Sequence, residues 1–142
     1  MSQSSFVAQP AINLKSPNKL SVSLVPTGDV KSVSASGVVT VGGFLTQVTA
    51  TTTTIDGYLT PYTTSVIDKG QLKKVSLIAA GSGGKLILKA NSDSGPTVNT
   101  IMRGTTVVPL INLSTVGDSV LLKYEGNGVW YIVDKGACTY TV

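Results

Sequence analysis

A chain of 142 residues that is 42% hydrophobic and 13% charged is one domain's worth, with apolar mass enough for a core. It carries too little charge for a disordered chain or a helical bundle. It has no histidine and a single cysteine, Cys138, which excludes Ser-His and Cys-His nucleophile pairs, imidazole metal sites, Cys-rich zinc sites and an internal disulfide. The net charge of +4 is spread over scattered lysines with one arginine, Arg103, so nucleic-acid binding is disfavoured despite the basic pI.

Residues 1–18 are polar and broken by Pro10 and Pro17. They hold an apolar set of Phe6, Val7, Ile12 and Leu14, and the segment reads as an extended arm whose apolar residues dock on a partner. The arm has neither the basic start nor the apolar run of a signal peptide. No window approaches the roughly 18 apolar residues of a membrane span, so no membrane partner is expected.

From Lys19 the pattern is strand after strand. In KLSVSLV, Leu20, Val22 and Leu24 alternate with serines, the period of a sheet with one wet face, and Pro26-Thr27-Gly28-Asp29 supplies the turn. Short runs at 30–33 and 38–41 follow, then FLTQVTAT (44–51) with its alternation. Thr51–Thr54 reads as extended backbone at a strand end. Tyr58–Ile67 reads as a further extended run, and Pro61 inside it marks an edge strand or a bulge. KKVSLIAA (73–80), Gly81-Ser82-Gly83-Gly84 and KLILKA (85–90) predict a β-hairpin, with Val75, Leu77 and Ala79 on one face and Leu86, Leu88 and Ala90 likewise. A polar turn at 91–97 leads to VNTIM, a turn at Arg103-Gly104, and TTVVPLINL. DSVLLKY (118–124) and VWYIVD (129–134) flank Glu125-Gly126-Asn127-Gly128 as a second hairpin, with Trp130 and Tyr131 on opposite faces.

Ten to twelve short strands with turns every 8–12 residues, and no helical periodicity, predict an all-β fold. The expected form is an antiparallel β-sandwich or jelly-roll-like barrel carrying the N-terminal arm. The domain spans 19–142, with 19–68 and 70–142 as one sandwich or two packed sub-sheets.

The motifs offer little chemistry. GSGGK at 81–85 lacks the spacing and the following helix of a phosphate loop. Asn112-Leu113-Ser114 is a glycosylation sequon without a secretory context. The seven acids, Asp29, Asp56, Asp68, Asp93, Asp118, Glu125 and Asp134, each sit in or beside a predicted turn, so no facing carboxylate pair of a glycosidase is expected. Asn91, Asp93 and Ser94 form the one cluster rich in oxygen ligands and read as a turn. The lone thiol has Lys135 as its nearest candidate base and reads as a small buried apolar group. Catalytic residues, a metal site and a cofactor are expected to be absent. Tyr58, Tyr62, Trp130 and Tyr131 are candidates for stacking on sugar rings or for an interface, with core packing as the competing role.

At residues 70–134 the order of features becomes specific. It runs from Gly70-Gln71 through a VSLIA strand, a glycine turn and KLILKA to a segment ending at Gly104 and an apolar strand closing at Leu113. Gly117-Asp118-Ser119 then opens a strand, and a glycine turn leads to Val129-Trp130-Tyr131-Ile132-Val133. This stretch resembles the small β-sandwich modules of tailed-phage virion proteins, found in head decoration proteins and in tail-fibre and tail-tip domains. It covers about 65 residues, under half of the chain, and the N-terminal half matches no named module. The resemblance implies a non-enzymatic virion protein, synthesised in a host cytoplasm and resident in the particle. Its expected function is that of a capsid decoration or cement protein that binds the major capsid protein or other virion proteins and stabilises the shell, as a homo-oligomer with a trimer favoured. The alternative is a tail-fibre or tail-tip module that binds a host glycan through Trp130, Tyr131 and the loops at 81–84 and 125–128.

Overall fold

The computed structural model describes residues 30–40, 43–51 and 53–141. The arm, with Phe6, Val7, Ile12 and Leu14, and the strand expected at 20–25 lie outside the described residues. Twelve strands are found among those described: β1 (Val30–Val33), β2 (Gly37–Val39), β3 (Leu45–Ala50), β4 (Thr54–Leu59), β5 (Leu72–Ala80), β6 (Lys85–Lys89), β7 (Thr100–Arg103), β8 (Thr106–Val107), β9 (Leu110–Leu113), β10 (Ser119–Gly126), β11 (Val129–Asp134) and β12 (Thr139–Thr141). The one helical turn among them is a 3-10 turn at Tyr62–Thr64, which replaces the extended run expected over 58–67. Pro61 opens that turn with φ −56°, a value its ring imposes and a turn accepts.

The fold is all-β, but neither purely antiparallel nor a closed barrel. A seven-stranded sheet has the order β1-β3-β5-β10-β11-β7-β8, and a five-stranded sheet the order β12-β9-β6-β4-β2. β1–β3, β3–β5, β2–β4, β4–β6 and β7–β11 pair in parallel. Four of these five parallel pairs, all but β7–β11, have one cause. From β1 to β6 the chain changes sheet at every strand, so each strand's next neighbour in its own sheet runs the same way. The strand in the opposite sheet serves as the crossover that a parallel pair requires. The result is a flattened coil of three turns: β1–β2, β3–β4 and β5–β6. β10 and β9 then lie antiparallel on β5 and β6 and end the coil on that side. Both sheets draw strands from before and after residue 70, so 19–68 and 70–142 are not separate sub-sheets among the described residues.

The expected hairpin at 73–90 is therefore an arc between sheets. β5 bonds to β3 and β10, and β6 to β4 and β9. Alternating strands around a glycine turn suit a hairpin and an arc equally; packing decides. The Gly81 N–H donates to the Ala50 carbonyl (2.9 Å), laying the 81–84 turn on the turn that follows β3. A β-carbon on Gly81 would meet the Thr51 carbonyl, and one on Gly84 the Ala50 carbonyl. The expected hairpin at 118–134 does form, between β10 and β11, with Asn127 at φ 52°.

One core fills the space between the sheets. Val48, Val75, Leu77, Val120, Leu122 and Trp130 face it from the larger sheet, and Ile55, Leu59, Leu86, Leu88, Ile111 and Leu113 from the smaller. Alternation in β5 stops at Leu77, because a register shift after Val48 pairs Thr49 with Ala79 and leaves Ile78 extra. Ala79 is accordingly exposed and not in the core. Lys73 takes an inward position and is fully buried, its ammonium donating to the Gly43 carbonyl at 2.8 Å.

Candidate functional site

The smaller sheet turns one row of side chains outward across all five strands. Val38, Tyr58, Lys89, Leu110 and Thr141 are successive cross-strand partners, and such partners share a face. The row beside it contains Asp56, Ile87, Asn112 and Thr139. Lys89 is the hub. Its side chain is 18% exposed, and its ammonium lies 2.8 Å from Asp93 and 3.6 Å from Asp56. The bond to Asp93 raises its pKa, burial opposes that, and Asp56 adds to it, so the ammonium stays charged at neutral pH. A pair this open to water adds little stability; its effect is to fix two carboxylates and an ammonium in place.

The segment after β6 rises beside this row and is held from below. Asn91 Oδ1 accepts from the N–H groups of Val98 (3.0 Å) and Asn99 (2.8 Å), and its Nδ2 donates to the Asn99 carbonyl (2.7 Å). The buried Asn99 amide donates to the carbonyls of Thr60 (2.9 Å) and Ala90 (3.2 Å) and accepts from the Tyr62 N–H (3.3 Å). These bonds tie the 91–99 segment to the end of β4 before anything binds. On one side of Lys89 and Asp93 lies a groove of about 250 Å³ walled by Ser36, Asp56, Tyr58 and Ser94. On the other is a larger concavity of about 490 Å³ whose exposed apolar lining is Val107, Pro109 and Leu110.

The aromatic candidates are not brought together. Trp130 has no exposed surface and packs on Tyr124 with ring centroids 4.9 Å apart, so it is a core residue and its face meets no ligand. Tyr62 is half-buried and packs against the core. Tyr131 is half-buried on the outer face of the larger sheet, beside Lys123 and Met102. Tyr58 alone lines the groove. Nor do the loops at 81–84 and 125–128 meet at one site. They follow the C-terminal ends of the antiparallel strands β5 and β10 and so lie at opposite ends of the sheet.

Asp56, expected in or beside a turn, stands within β4 opposite Ile87. Its proximity to Lys89, 33 positions away, depends on the parallel β4–β6 pairing. Asn91 and Asp93, read as a turn cluster, are spent on backbone groups and on Lys89. Asp118, 8% exposed, accepts from the N–H groups of Ser114 (2.8 Å) and Thr115 (3.0 Å).

Cys138 is fully buried, its thiol donating to the Ser119 carbonyl (3.2 Å), while the Lys135 ammonium is taken by the Cys138 carbonyl (2.8 Å). Burial, with Asp118 nearby, pushes the thiol pKa from 9.0 up to about 11. Because the folded value is the higher one, the protonated thiol favours the fold fully below pH 9. That contribution is lost as pH rises through about 11. Alkylation of the native protein by iodoacetamide is expected to be negligible at pH 9 and to rise only toward pH 11, whereas urea-unfolded chain reacts at pH 9. Equal rates for the two states at pH 9 would contradict this burial.

No protein-family model, no curated protein and no solved structure matches the chain.

Proposed function

We propose that this chain is a non-enzymatic structural protein of a virus particle, a decoration protein that binds the capsid shell and stabilises it as a homo-oligomer, with a trimer favoured. The observation that carries this reading is the outer face of the seven-stranded sheet. One row there runs Leu72, Lys123, Tyr131, Met102, Val107 across five strands. The next runs Val30, Leu45, Lys74, Leu121, Asp134 across β1, β3, β5, β10 and β11, sharing the last three strands with the first row. Leu72, Val107 and Val30 keep 40%, 53% and 44% of their surface exposed. Apolar rows of this extent mark contact surfaces. The interspersed lysines and Asp134 supply charges of both signs for register between copies.

Light scattering across a concentration series is expected to find an oligomer. Leu72→Glu combined with Val107→Glu should convert it to monomer with an unchanged melting temperature, since both side chains already meet water. A monomer at every concentration for the unaltered chain would overturn the self-association. A second reading, a tail-fibre or tail-tip module that binds a host glycan, is favoured by the preformed groove beside Lys89.

A further inference from the structure

We infer that the groove over the Tyr58–Lys89 row is a saccharide site, taking a neutral hexose-type sugar between the Tyr58 ring and the Asp56–Lys89–Asp93 cluster. The inference rests on the tail-module reading and gives it a site, a ligand class and a charge preference.

Four features of the groove converge on a hydroxylated ligand. Asp56 and Asp93 each offer an acceptor oxygen beyond the one facing Lys89, and the Lys89 ammonium has three donors. Acceptors and donors held side by side are what adjacent sugar hydroxyls need, each hydroxyl being both donor and acceptor. Charged partners make the stronger bonds of this type. Ser36, Ser92 and Ser94 add hydroxyls around the rim, and Tyr58 offers a ring whose apolar body suits the C–H face of a sugar. The second concavity, across the Lys89–Asp93 pair, gives a neighbouring sugar or an N-acetyl methyl an apolar contact at Pro109 and Leu110.

Charge and rigidity narrow the class. Two carboxylates against one ammonium leave the groove with one net negative charge. It therefore repels acidic sugars, and like-charge repulsion is a common source of discrimination. The Asn91 and Asn99 bonds already hold the wall, so binding costs little ordering of the loop. The groove replaces the combination of Trp130, Tyr131 and two distant loops as the place where this chain would hold a glycan.

The test is a titration of the full chain with the methyl glycosides of glucose, galactose and N-acetylglucosamine, and with N-acetylneuraminic acid, followed by amide NMR. A neutral glycoside is expected to give saturable shifts at Tyr58, Lys89, Ser92 and Ser94. Asp93→Asn, which removes a charged acceptor, and Ser94→Trp, which fills the groove from an exposed position, should each weaken binding at least about tenfold. Their unchanged melting temperatures would show that the fold is intact. N-acetylneuraminic acid should bind at least about tenfold more weakly than the best neutral glycoside. Absence of saturable groove shifts with all three neutral glycosides, shifts that survive both substitutions, or preference for the acidic sugar would each overturn the site. A chain that oligomerises but binds none of them loses this site and keeps the capsid reading. A monomer that binds them keeps the site and the tail-module reading alone.

Discussion

Gly81→Ala is expected to destabilise the fold by about 3 kcal/mol or more, a large share of the 5–15 kcal/mol typical of a whole domain. The reason is position, not backbone freedom. The 81–84 turn rests on the previous turn of the coil through the bond from the Gly81 N–H to the Ala50 carbonyl (2.9 Å). An added methyl would be driven into the Thr51 carbonyl. A backbone oxygen cannot rotate away as a side chain can, so either the two turns separate or β3 and β5 lose register. Ser82→Ala, at the exposed next position, is expected to change stability by less than about 0.5 kcal/mol. Urea denaturation midpoints at constant m-value read both. The comparison discriminates between two topologies. In a simple hairpin the turn would project into solvent and the two alanines would cost alike. A Gly81→Ala cost below about 1 kcal/mol would therefore contradict the stacked coil.

That same residue shows where sequence reasoning stops. The alternation on each side of Gly81–Gly84 identifies two strands, one face of each, and the turn between them, and all three are found except that the register shift turns Ala79 out of the core. The partner of each strand is not in the pattern, because period two reports a buried face and not the neighbour that bonds to the edge. An arc and a hairpin differ by a rotation of the second strand, which no local residue type announces. Asp56 read as a turn acid because a charged residue inside a β-run has a local reading only in a turn; its reason for being in β4 is Lys89, across a parallel pair. Lys73 takes an inward place in β5 by the same alternation that places Val75 and Leu77. The hairpin of β10 and β11 was legible because its turn residues must adopt left-handed backbone, as Asn127 does at φ 52°, and that requirement is local.

Trp130→Ala is expected to cost about 3–5 kcal/mol, enough to leave the chain unfolded or molten near room temperature if its total stability is at the low end for a domain. Trp130 has no exposed surface, pairs in register with Tyr124 on β10 and Ile101 on β7, and packs on the Tyr124 ring with centroids 4.9 Å apart and the planes tilted by 48°. Its removal opens a cavity at the joint of an antiparallel and a parallel pair, where neighbours on both sides are fixed by ladder bonds and cannot collapse inward. The indole N–H meets no acceptor among the described residues. Trp130→Phe gives up that buried donor together with part of the ring, so a cost of only about 1–2 kcal/mol is expected. The near-UV circular dichroism of the alanine variant should collapse before its far-UV signal does, since packing fails ahead of the ladders. A folded Trp130→Ala protein with an unchanged melting temperature and lost sugar binding would return the indole to a ligand-facing role. That outcome requires the ring to be at the surface, where the sandwiched position between Tyr124 and Ile101 does not put it.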